Sequence, residues 1–247
     1  DNTFFVGASG EIEKFSKHFV GTGIKAPERV MIIGAGRTGR TLAKMLDKQG
    51  VQVKVIEKDA ERSRMVAERI EEGIVVRGDG TDIDLLTQEG VGEADVVICL
   101  TADDKLNLML ALLAKHLGAS RTIVRVARIE YVDLMEKVGV DIVLSSRLLA
   151  AGEILAFARR GGVVSVALLE GAKAEAMEVI VQKGSYVENK KLMDLQLPKE
   201  CLICAFVRDD EAFVPTGQSS LQAGDRAILF IRMEFANKVM KYFAGKA

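Results

Sequence analysis

Short β-branched and apolar runs alternate with helix-length amphipathic segments over residues 29–145, and this alternation sharply limits the possible folds. The helix-length segments are residues 37–48, 60–71, 82–89, 103–117 and 130–137. The strand-like runs are residues 30–33, 51–56, 74–76, 95–100, 122–126 and 141–144. Strands that alternate with helices favour a parallel sheet covered on both faces. We therefore predict an α/β fold with a doubly wound, six-stranded Rossmann-type sheet.

The pattern becomes strand-rich after a helix predicted at residues 146–159. The apolar positions of this helix exceed one narrow face, which favours packing on another element or subunit. A last helix is predicted at residues 234–243, a short one near 190–195, and a hairpin turn at Asp209-Asp210. The strand-like runs are residues 163–169, 177–181, 201–207, 212–215 and 227–231. Together these elements predict a second, smaller α+β domain.

Residues 1–19 align without a gap on residues 225–243. Both segments have a strand-like run before a helix, with the identical pairs Asp1/Asp225, Lys14/Lys238, Lys17/Lys241 and Phe19/Phe243. Chance similarity is one interpretation; the other is that a two-domain unit occurs in tandem in a longer protein. The predicted organisation is a preceding domain's tail plus linker at 1–27, a nucleotide-binding domain at 28–145, a connector helix at 146–162 and a C-terminal domain at 163–247.

Composition excludes several functional classes. The formal net charge is −1, which does not suggest a nucleic-acid-coating protein. No apolar run approaches the roughly 20 residues that span a bilayer, and no secretory signal is recognisable. Three cysteines in strand-like contexts suggest a reducing compartment, and two histidines exclude a His-rich metal site. We predict a cytosolic protein with no metal site and no nucleic-acid partner.

A glycine motif lies between the first predicted strand and helix, as a dinucleotide-binding fingerprint requires. In that motif Gly34 would permit the tight turn, and Gly36 would allow a pyrophosphate to approach the backbone. Gly39 would allow the helix to pack closely on the strand. Glu57, 18 residues after Gly39, is placed to accept ribose hydroxyls, and its carboxylate would repel a 2′-phosphate. The alternative is a glycine turn that only packs the helix.

Other candidate residues follow the predicted strands, where ligands of open α/β sheets bind. Arg37 could bind phosphates, or its side chain could simply be solvated. Thr101 could contact a ligand. Alternatively, Thr101 or Asp103 could only cap the following helix. Arg125 is costly to bury without an anionic partner. The candidate nucleotide-binding residues are Gly34, Ala35, Gly36, Arg37, Thr38, Gly39, Glu57, Lys58, Asp79, Gly80, Thr101, Ala102, Asn107 and Arg125.

No catalytic set accompanies this site. A dehydrogenase places a proton donor, commonly His, Lys or Tyr, over the nicotinamide, and the second domain contains no His. Cys201 and Cys204 are three apart on one predicted strand, which would point them to opposite faces and favours ordinary apolar packing. Three functions remain open. The protein could be a regulatory nucleotide sensor without catalytic activity, an NAD-dependent oxidoreductase, or a binding module whose degenerate first domain binds no nucleotide.

These motifs together resemble the RCK (KTN) family, regulators of potassium conductance, and within it the TrkA-type peripheral subunits of Trk potassium uptake systems. The resemblance rests on residues 33–39, 55–59, 78–81, 94–101, 103–104, 107, 124–128, 139–141 and 220–225. It implies that NAD(H) or ATP/ADP is a regulatory ligand, with Gly34–Thr38 at the phosphates, Glu57 at the ribose, and Thr101, Ala102 and Arg125 lining the site. Many members have Asp where this chain has Glu57.

The resemblance also implies partners. Family members assemble as homo-oligomers, here a dimer or tetramer within a ring, beneath a membrane potassium transporter. Such a protein would be cytoplasmic and peripheral on the inner face of the cell membrane. Nucleotide exchange would reshape the ring and change ion flux, so the chain would be a regulator and no enzyme. The tandem arrangement suggests the C-terminal half of such a protein.

Overall fold

The computed structural model describes residues 12, 14, 15, 26–158, 162–169 and 174–245. Most of the predicted tail and linker at residues 1–27 lies outside these residues. The chain divides into two compact units, one of Lys25–Arg147 and one that contains Leu148–Ala247. In the described ranges, no helix has the length and apolar character needed to cross a bilayer.

The first unit is built on a six-stranded sheet in which all neighbouring strands are parallel. The strands are β1 (Arg29–Ile33), β2 (Gln52–Glu57), β3 (Ile74–Arg77), β4 (Val96–Cys99), β5 (Thr122–Val126) and β6 (Ile142–Ser145). Their order is β3-β2-β1-β4-β5-β6, the doubly wound order of dinucleotide-binding folds. The predicted fold class is confirmed.

Five α-helices connect the strands of this unit: α1 (Arg37–Lys48), α2 (Ala60–Ala67), α3 (Ile83–Gln88), α4 (Asp104–His116) and α5 (Val132–Lys137). Helix α2 ends four residues before its predicted end. The backbone N–H groups of Glu71, Glu72 and Gly73 donate to the carboxylate of Asp47 instead of continuing the helix. These hydrogen bonds lower the pKa of Asp47, the one from Glu71 most strongly.

Apolar residues cover both faces of the sheet. In β1, Met31 and Ile33 belong to one buried cluster, and Val30 and Ile32 belong to another. Successive strand residues point to opposite faces, so an uninterrupted apolar strand indicates burial on both sides. The alternation of strand and helix in the sequence follows from this arrangement.

Asp141 fixes the start of β6 against β5. Its carboxylate accepts hydrogen bonds from the N–H of Thr122 at 2.8 Å, from the Thr122 hydroxyl at 2.9 Å and from Lys115 Nζ at 2.8 Å. Burial raises the pKa of Asp141, but the hydrogen bonds from Lys115 and Thr122 outweigh it and leave the pKa below its ordinary value. The ionised carboxylate is therefore the stabilising form.

We expect Asp141→Asn to lower the free energy of unfolding at pH 7 by about 1–2 kcal/mol, because charge-assisted hydrogen bonds are lost. A lowered carboxyl pKa gives stability that is present above the unfolded-state pKa, about 3.9, and lost as pH falls through the folded-state pKa. The difference between wild type and variant should therefore shrink below about pH 4. Urea denaturation from pH 7 to pH 3 measures it.

Asp133→Asn is the matched control, because it makes the same change of charge on an exposed face of α5. It should leave the unfolding free energy almost unchanged across the same pH range. An Asp141→Asn deficit that persists undiminished at pH 3 would contradict the assigned role of the carboxylate.

The second unit is an antiparallel sheet packed against a C-terminal helix, α7 (Ala236–Phe243). The strands are β7 (Val163–Leu169), β8 (Ala174–Ile180), β9 (Cys201–Arg208), β10 (Glu211–Phe213) and β11 (Arg226–Arg232), in the order β10-β9-β11-β8-β7. The predicted hairpin turn joins β9 to β10, with positive φ at Asp209 and Asp210. The short helix predicted near 190–195 is a single 3₁₀ turn, Leu192–Asp194.

Two features of this half bear on the sequence predictions. Helix α6 (Ser146–Ala158) exposes Leu149, Ile154 and Phe157, and its packing on another element or subunit stays a prediction. The pairing of β9 with β11 shifts between Ile228 and Leu229. The alternation of faces along β9 is therefore not regular, and the argument from spacing that separated the two cysteines does not apply.

Burial disfavours the thiolate form of both cysteines of β9. Burial, with a smaller contribution from Cys204, raises the pKa of Cys201 to about 12. Burial also raises the pKa of Cys204 above its ordinary value. Thiols with raised pKa values stay protonated and are poor nucleophiles and metal ligands.

Candidate nucleotide-binding crevice

A crevice of about 410 Å³ lies across the carboxyl ends of the parallel strands of the first unit. Ligands of doubly wound sheets bind at this edge, where the strand order reverses between β1 and β4. The polar and glycine lining comprises Gly34, Gly36, Arg37, Thr38, Glu57, Lys58, Arg62, Gly78, Asp79, Gly80, Thr81, Thr101, Asp103 and Arg125. Ile33, Ile56, Leu100, Ala102, Leu106 and Leu110 complete it.

The three glycines of the motif have different structural roles. Gly34 has φ of +105°, and a Cβ there would lie 3.0 Å from the backbone of Leu100 and of Thr101. A Cβ at Gly39 would collide with the carbonyl oxygen of Gly34. A Cβ at Gly36 would meet no atom within 4 Å. Gly34 and Gly39 are therefore required by the fold, whereas the fold has room for a side chain at Gly36.

The N-terminus of α1 differs from those of the next three helices. Asp59, Asp82 and Asp103 cap α2, α3 and α4 by accepting backbone N–H hydrogen bonds. Helix α1 is preceded by Gly36, which supplies no side-chain acceptor, and its first turn contains no acidic residue. The orphan N–H groups and the positive dipole end of α1 therefore face the crevice without a side-chain partner, which suits an anion such as a phosphate.

Glu57 connects the glycine loop to the end of β2. Its carboxylate accepts hydrogen bonds from the N–H of Ala35 at 2.7 Å and from the N–H of Asp59 at 2.9 Å. The side chain is buried at 6% exposure but lines the crevice. Each carboxylate oxygen accepts only one of these bonds and retains lone-pair capacity, so Glu57 can hold the loop and accept a ribose hydroxyl.

The loop after β3 places a second carboxylate at the crevice. Asp79 accepts hydrogen bonds from the N–H of Thr81 at 2.9 Å and from its hydroxyl at 2.8 Å. These bonds, with a smaller contribution from the charge of Lys58, lower the pKa of Asp79. Asp79 is therefore ionised at neutral pH and presents a hydrogen-bond acceptor to the crevice.

Asn107 holds the ends of β4 and β5 together. Its Oδ1 accepts from the N–H of Thr101 at 2.8 Å and from the Thr101 hydroxyl at 2.7 Å, and its Nδ2 donates to the carbonyl oxygen of Arg125 at 3.0 Å. The residue is fully buried, behind the crevice wall. Asn107 thus positions Thr101 and Arg125, which differs from the predicted direct contact with a ligand.

Arg125 presents a cation to the far end of the crevice. Its Nη2 donates to the carbonyl oxygen of Thr101 at 3.4 Å, the limit of a hydrogen bond, and its buried Nε has no hydrogen-bond partner. The guanidinium therefore keeps donor capacity for a ligand, and the predicted anionic partner of Arg125 stays a prediction.

Most of the predicted binding residues line the same crevice. Ala35 and Gly39 do not, because the first is a fully buried residue of the loop and the second packs α1 against the loop; like Asn107, they shape the crevice from behind. Arg62 lines it but was not among the candidates. Its only sequence signal is its position on the helix that starts after Glu57.

A larger crevice of about 650 Å³ lies at the opposite, amino edge of the sheet. Its cations are already paired, Arg29 with Glu93 and Lys54 with Glu89. Its edge is not the one where ligands of open α/β sheets bind. The charge arrangement and the fold therefore favour the smaller crevice as the functional site.

Comparison with protein families identifies both parts of the chain. Residues 30–146 match the TrkA-N domain family, and residues 176–244 match the TrkA-C domain family. Together the two matched ranges cover most of the chain.

Curated relatives match over both domains. The chain is 38% identical over 216 residues to Trk system potassium uptake protein TrkA homolog 2 of Methanosarcina mazei, covering 87% of the chain and 48% of the relative. It is 35% identical over 244 residues to Trk system potassium uptake protein TrkA homolog 1 of the same organism, covering 98% of the chain and 54% of the relative. It is 33% identical to the TrkA protein of Vibrio alginolyticus over 94% of the chain and 51% of the relative. The chain spans about half the length of these relatives.

Solved structures resemble the fold. The crystal structure of the GsuK RCK domain aligns with a TM-score of 0.55 at 19% identity, covering 91% of this chain and 49% of that one. The GsuK channel aligns with a TM-score of 0.51 at 24% identity, covering 96% of this chain and 42% of that one. At these identities the likeness concerns the fold alone.

Proposed function

Because the chain belongs to the TrkA family of RCK (KTN) proteins, we propose that it is a nucleotide-sensing regulatory unit of a potassium transport system. The ligand is an adenine nucleotide, NAD(H) or ATP/ADP, bound in the crevice at the carboxyl edge of the parallel sheet. The observation that carries the proposal is the glycine loop that leads into the uncapped N-terminus of α1, with Glu57 beside it.

The proposed binding mode assigns each group by its chemistry. Backbone N–H groups at the start of α1 and the Arg37 guanidinium bind the phosphates. Glu57 accepts ribose hydroxyls, and Asp79, beside Lys58, accepts further hydrogen bonds from the adenosine half. Thr101 and Arg125 contact the half of the ligand that lies over β4 and β5.

We further propose that occupancy is transmitted through a homo-oligomeric ring, built from dimers or tetramers, to a Trk-type membrane potassium transporter. The protein would work in the cytoplasm, peripheral to the inner face of the membrane through that partner. A ligand can shift the ring only if it binds two conformations unequally. The regulatory role needs no catalytic group.

Calorimetric titration of the purified chain with ADP, ATP, NADH and NAD⁺ tests the binding site. We expect saturable binding of at least one of them at submillimolar concentration. Absence of heat and of thermal stabilisation with all four at millimolar concentration would contradict the proposal. Sedimentation velocity with and without the bound nucleotide then tests whether occupancy changes the assembly.

Arg37→Gln should weaken binding of the best ligand about tenfold, because one charge-assisted contact to phosphate is lost. Lys44→Gln is the matched control, since Lys44 is an exposed cation of the same helix but does not line the crevice. Its affinity should stay within about twofold of wild type at physiological salt. Equal losses in both variants would indicate only a general effect of charge.

A further inference from the structure

Helix α1 presents a line of cations on the surface of the first unit. Its exposed polar residues include four that recur at spacings of four, three and four: Arg37, Thr41, Lys44 and Lys48. Residues at these spacings lie on one line along a helix. A rise of about 1.5 Å per residue makes that line about 16 Å long. We call Arg37, Lys44 and Lys48 the basic stripe; it spreads its charge along the helix instead of concentrating it at one point.

No carboxylate neutralises the basic stripe within the described part of the chain. The ion pairs between described residues include none of its three cations. Asp47 is the one acid of α1, and its carboxylate is occupied by backbone N–H groups of residues 71–73. Arg40 adds a fourth cation at the side of the stripe; its Nη1 donates to Met65 Sδ at 3.2 Å. The exposed face of α1 is therefore positive along its whole length.

The two helical layers of the first unit differ in charge. Helices α1 and α2 pack on one face of the sheet, and α3, α4 and α5 pack on the other. The first layer has six Lys and Arg against two Asp and Glu, whereas the second has three Lys against four Asp and Glu. The sheet separates the layers by more than the Debye length, about 8 Å at physiological ionic strength. A charged surface that approaches α1 therefore meets the basic layer and is shielded from the acidic one.

The stripe suits an extended anionic surface better than a single small anion. Lys44 and Lys48 line neither of the two crevices described above. Lysine ammonium groups are hydrated point charges on flexible stems, which match many dispersed headgroups. Met45, which is 56% exposed beside the stripe, offers an unbranched, flexible apolar side chain to an interface. The cytoplasmic leaflet of a membrane is negatively charged, and each Lys or Arg near it strengthens binding about fivefold.

We propose that the exposed face of α1 docks on the anionic lipid surface of the membrane, with the basic stripe at the headgroups and Met45 at the interface. The chain then contacts the membrane directly, in addition to any contact with a transporter. This lipid contact needs neither a nucleotide nor the transporter, so it is separate from the function proposed above.

Cosedimentation of the purified chain with vesicles tests this docking. The probes are vesicles of phosphatidylcholine alone and of phosphatidylcholine mixed with phosphatidylglycerol. The partition coefficient should be about a hundredfold higher for the mixed vesicles, at about fivefold for each of three cations. Raising the ionic strength from about 0.1 M to about 1 M should remove most of this difference, because the Debye length falls from about 10 Å to about 3 Å. Equal binding to both kinds of vesicle would overturn the proposal, and this comparison needs no variant.

The double variant Lys44→Gln/Lys48→Gln locates the contact. It removes two cations of the stripe, so its partition onto the mixed vesicles should fall about 25-fold, while nucleotide affinity stays near that of wild type. Lys105→Gln/Lys137→Gln is the matched control, because it makes the same change on exposed cations of the opposite layer. Its partition should stay within about twofold of wild type. Thermal denaturation verifies that both variants are folded.

Two results would reject the assignment of α1 to lipid. One is an equal loss of vesicle binding in the two double variants, which would indicate only a general effect of charge. The other is release of wild type from the mixed vesicles by polyglutamate of equal total charge, which would assign the face to an acidic protein. Either result leaves the nucleotide site untouched, since calorimetric titration measures that site without vesicles.

Discussion

Gly36→Ala should reduce nucleotide affinity at least a hundredfold while the protein stays folded. The added methyl group would meet no atom of the chain within 4 Å, so the fold has room for it. In the proposed binding mode a pyrophosphate approaches the backbone through that same space, and a methyl group there would exclude it. The expected cost in stability is only about 1 kcal/mol, from replacing glycine with alanine at the position preceding a helix. Titration calorimetry and thermal denaturation measure the two effects separately.

Gly39→Ala is the informative contrast. The methyl group there would collide with the carbonyl oxygen of Gly34, so helix α1 could not pack on the loop. We expect a loss of several kcal/mol of stability, or no folded protein. If Gly36→Ala proved equally destabilising, or bound nucleotide like wild type, the division between fold-required and ligand-required glycines would be wrong.

Arg208→Met should cause the largest loss of stability in the second unit, about 3–5 kcal/mol. Arg208 donates to Asp225 from Nε at 2.9 Å and from Nη2 at 2.7 Å, and its Nη2 also donates to the carbonyl oxygen of Ser220 at 3.0 Å. The Asp225 side chain is only 2% exposed, so removal of Arg208 leaves its carboxylate buried with the N–H of Gln222 as its remaining donor. Urea denaturation measures the loss.

The double variant Arg208→Met/Asp225→Asn separates two effects on stability. One is the loss of the ion-pair attraction, and the other is the cost of leaving the buried Asp225 carboxylate charged and unpaired. Because it removes both charges, it should recover part of the stability that the single variant loses. A double variant less stable than Arg208→Met would mean that Asp225 acts mainly through its bond to the Gln222 backbone. The Arg226→Met variant is the matched control, because Arg226 is half-exposed and its ion pairs are longer.

Local backbone requirements made much of the first unit predictable. The spacing of the glycines and the acid after β2 depends on short-range geometry, and so do the aspartate caps of α2, α3 and α4. Burial of the sheet on both faces explains why strand positions could be inferred from continuous apolar runs. Right-handed crossovers and the glycine motif together then favoured the doubly wound sheet over other parallel sheets.

Contacts between distant residues were less predictable. The side chain of a polar residue such as Asn107 could hydrogen-bond either to a ligand or to the backbone at the ends of two strands. Only the tertiary structure distinguishes these two roles. Arg62 reaches the crevice from helix α2, a tertiary placement that no local pattern indicates. The register shift between β9 and β11 is likewise set by pairing across the sheet, so spacing along one strand could not reveal it.

Glu57 has a consequence for attempts to redesign cofactor preference. In many dinucleotide sites, exchanging the acid after β2 for a neutral or basic residue is the natural first step towards NADP. Here the same carboxylate tethers Ala35 and Asp59, so the exchange would also release the turn that we propose binds the phosphates. A switch of specificity in this scaffold would therefore need a compensating acceptor for those two amides, installed together with the new ribose contact.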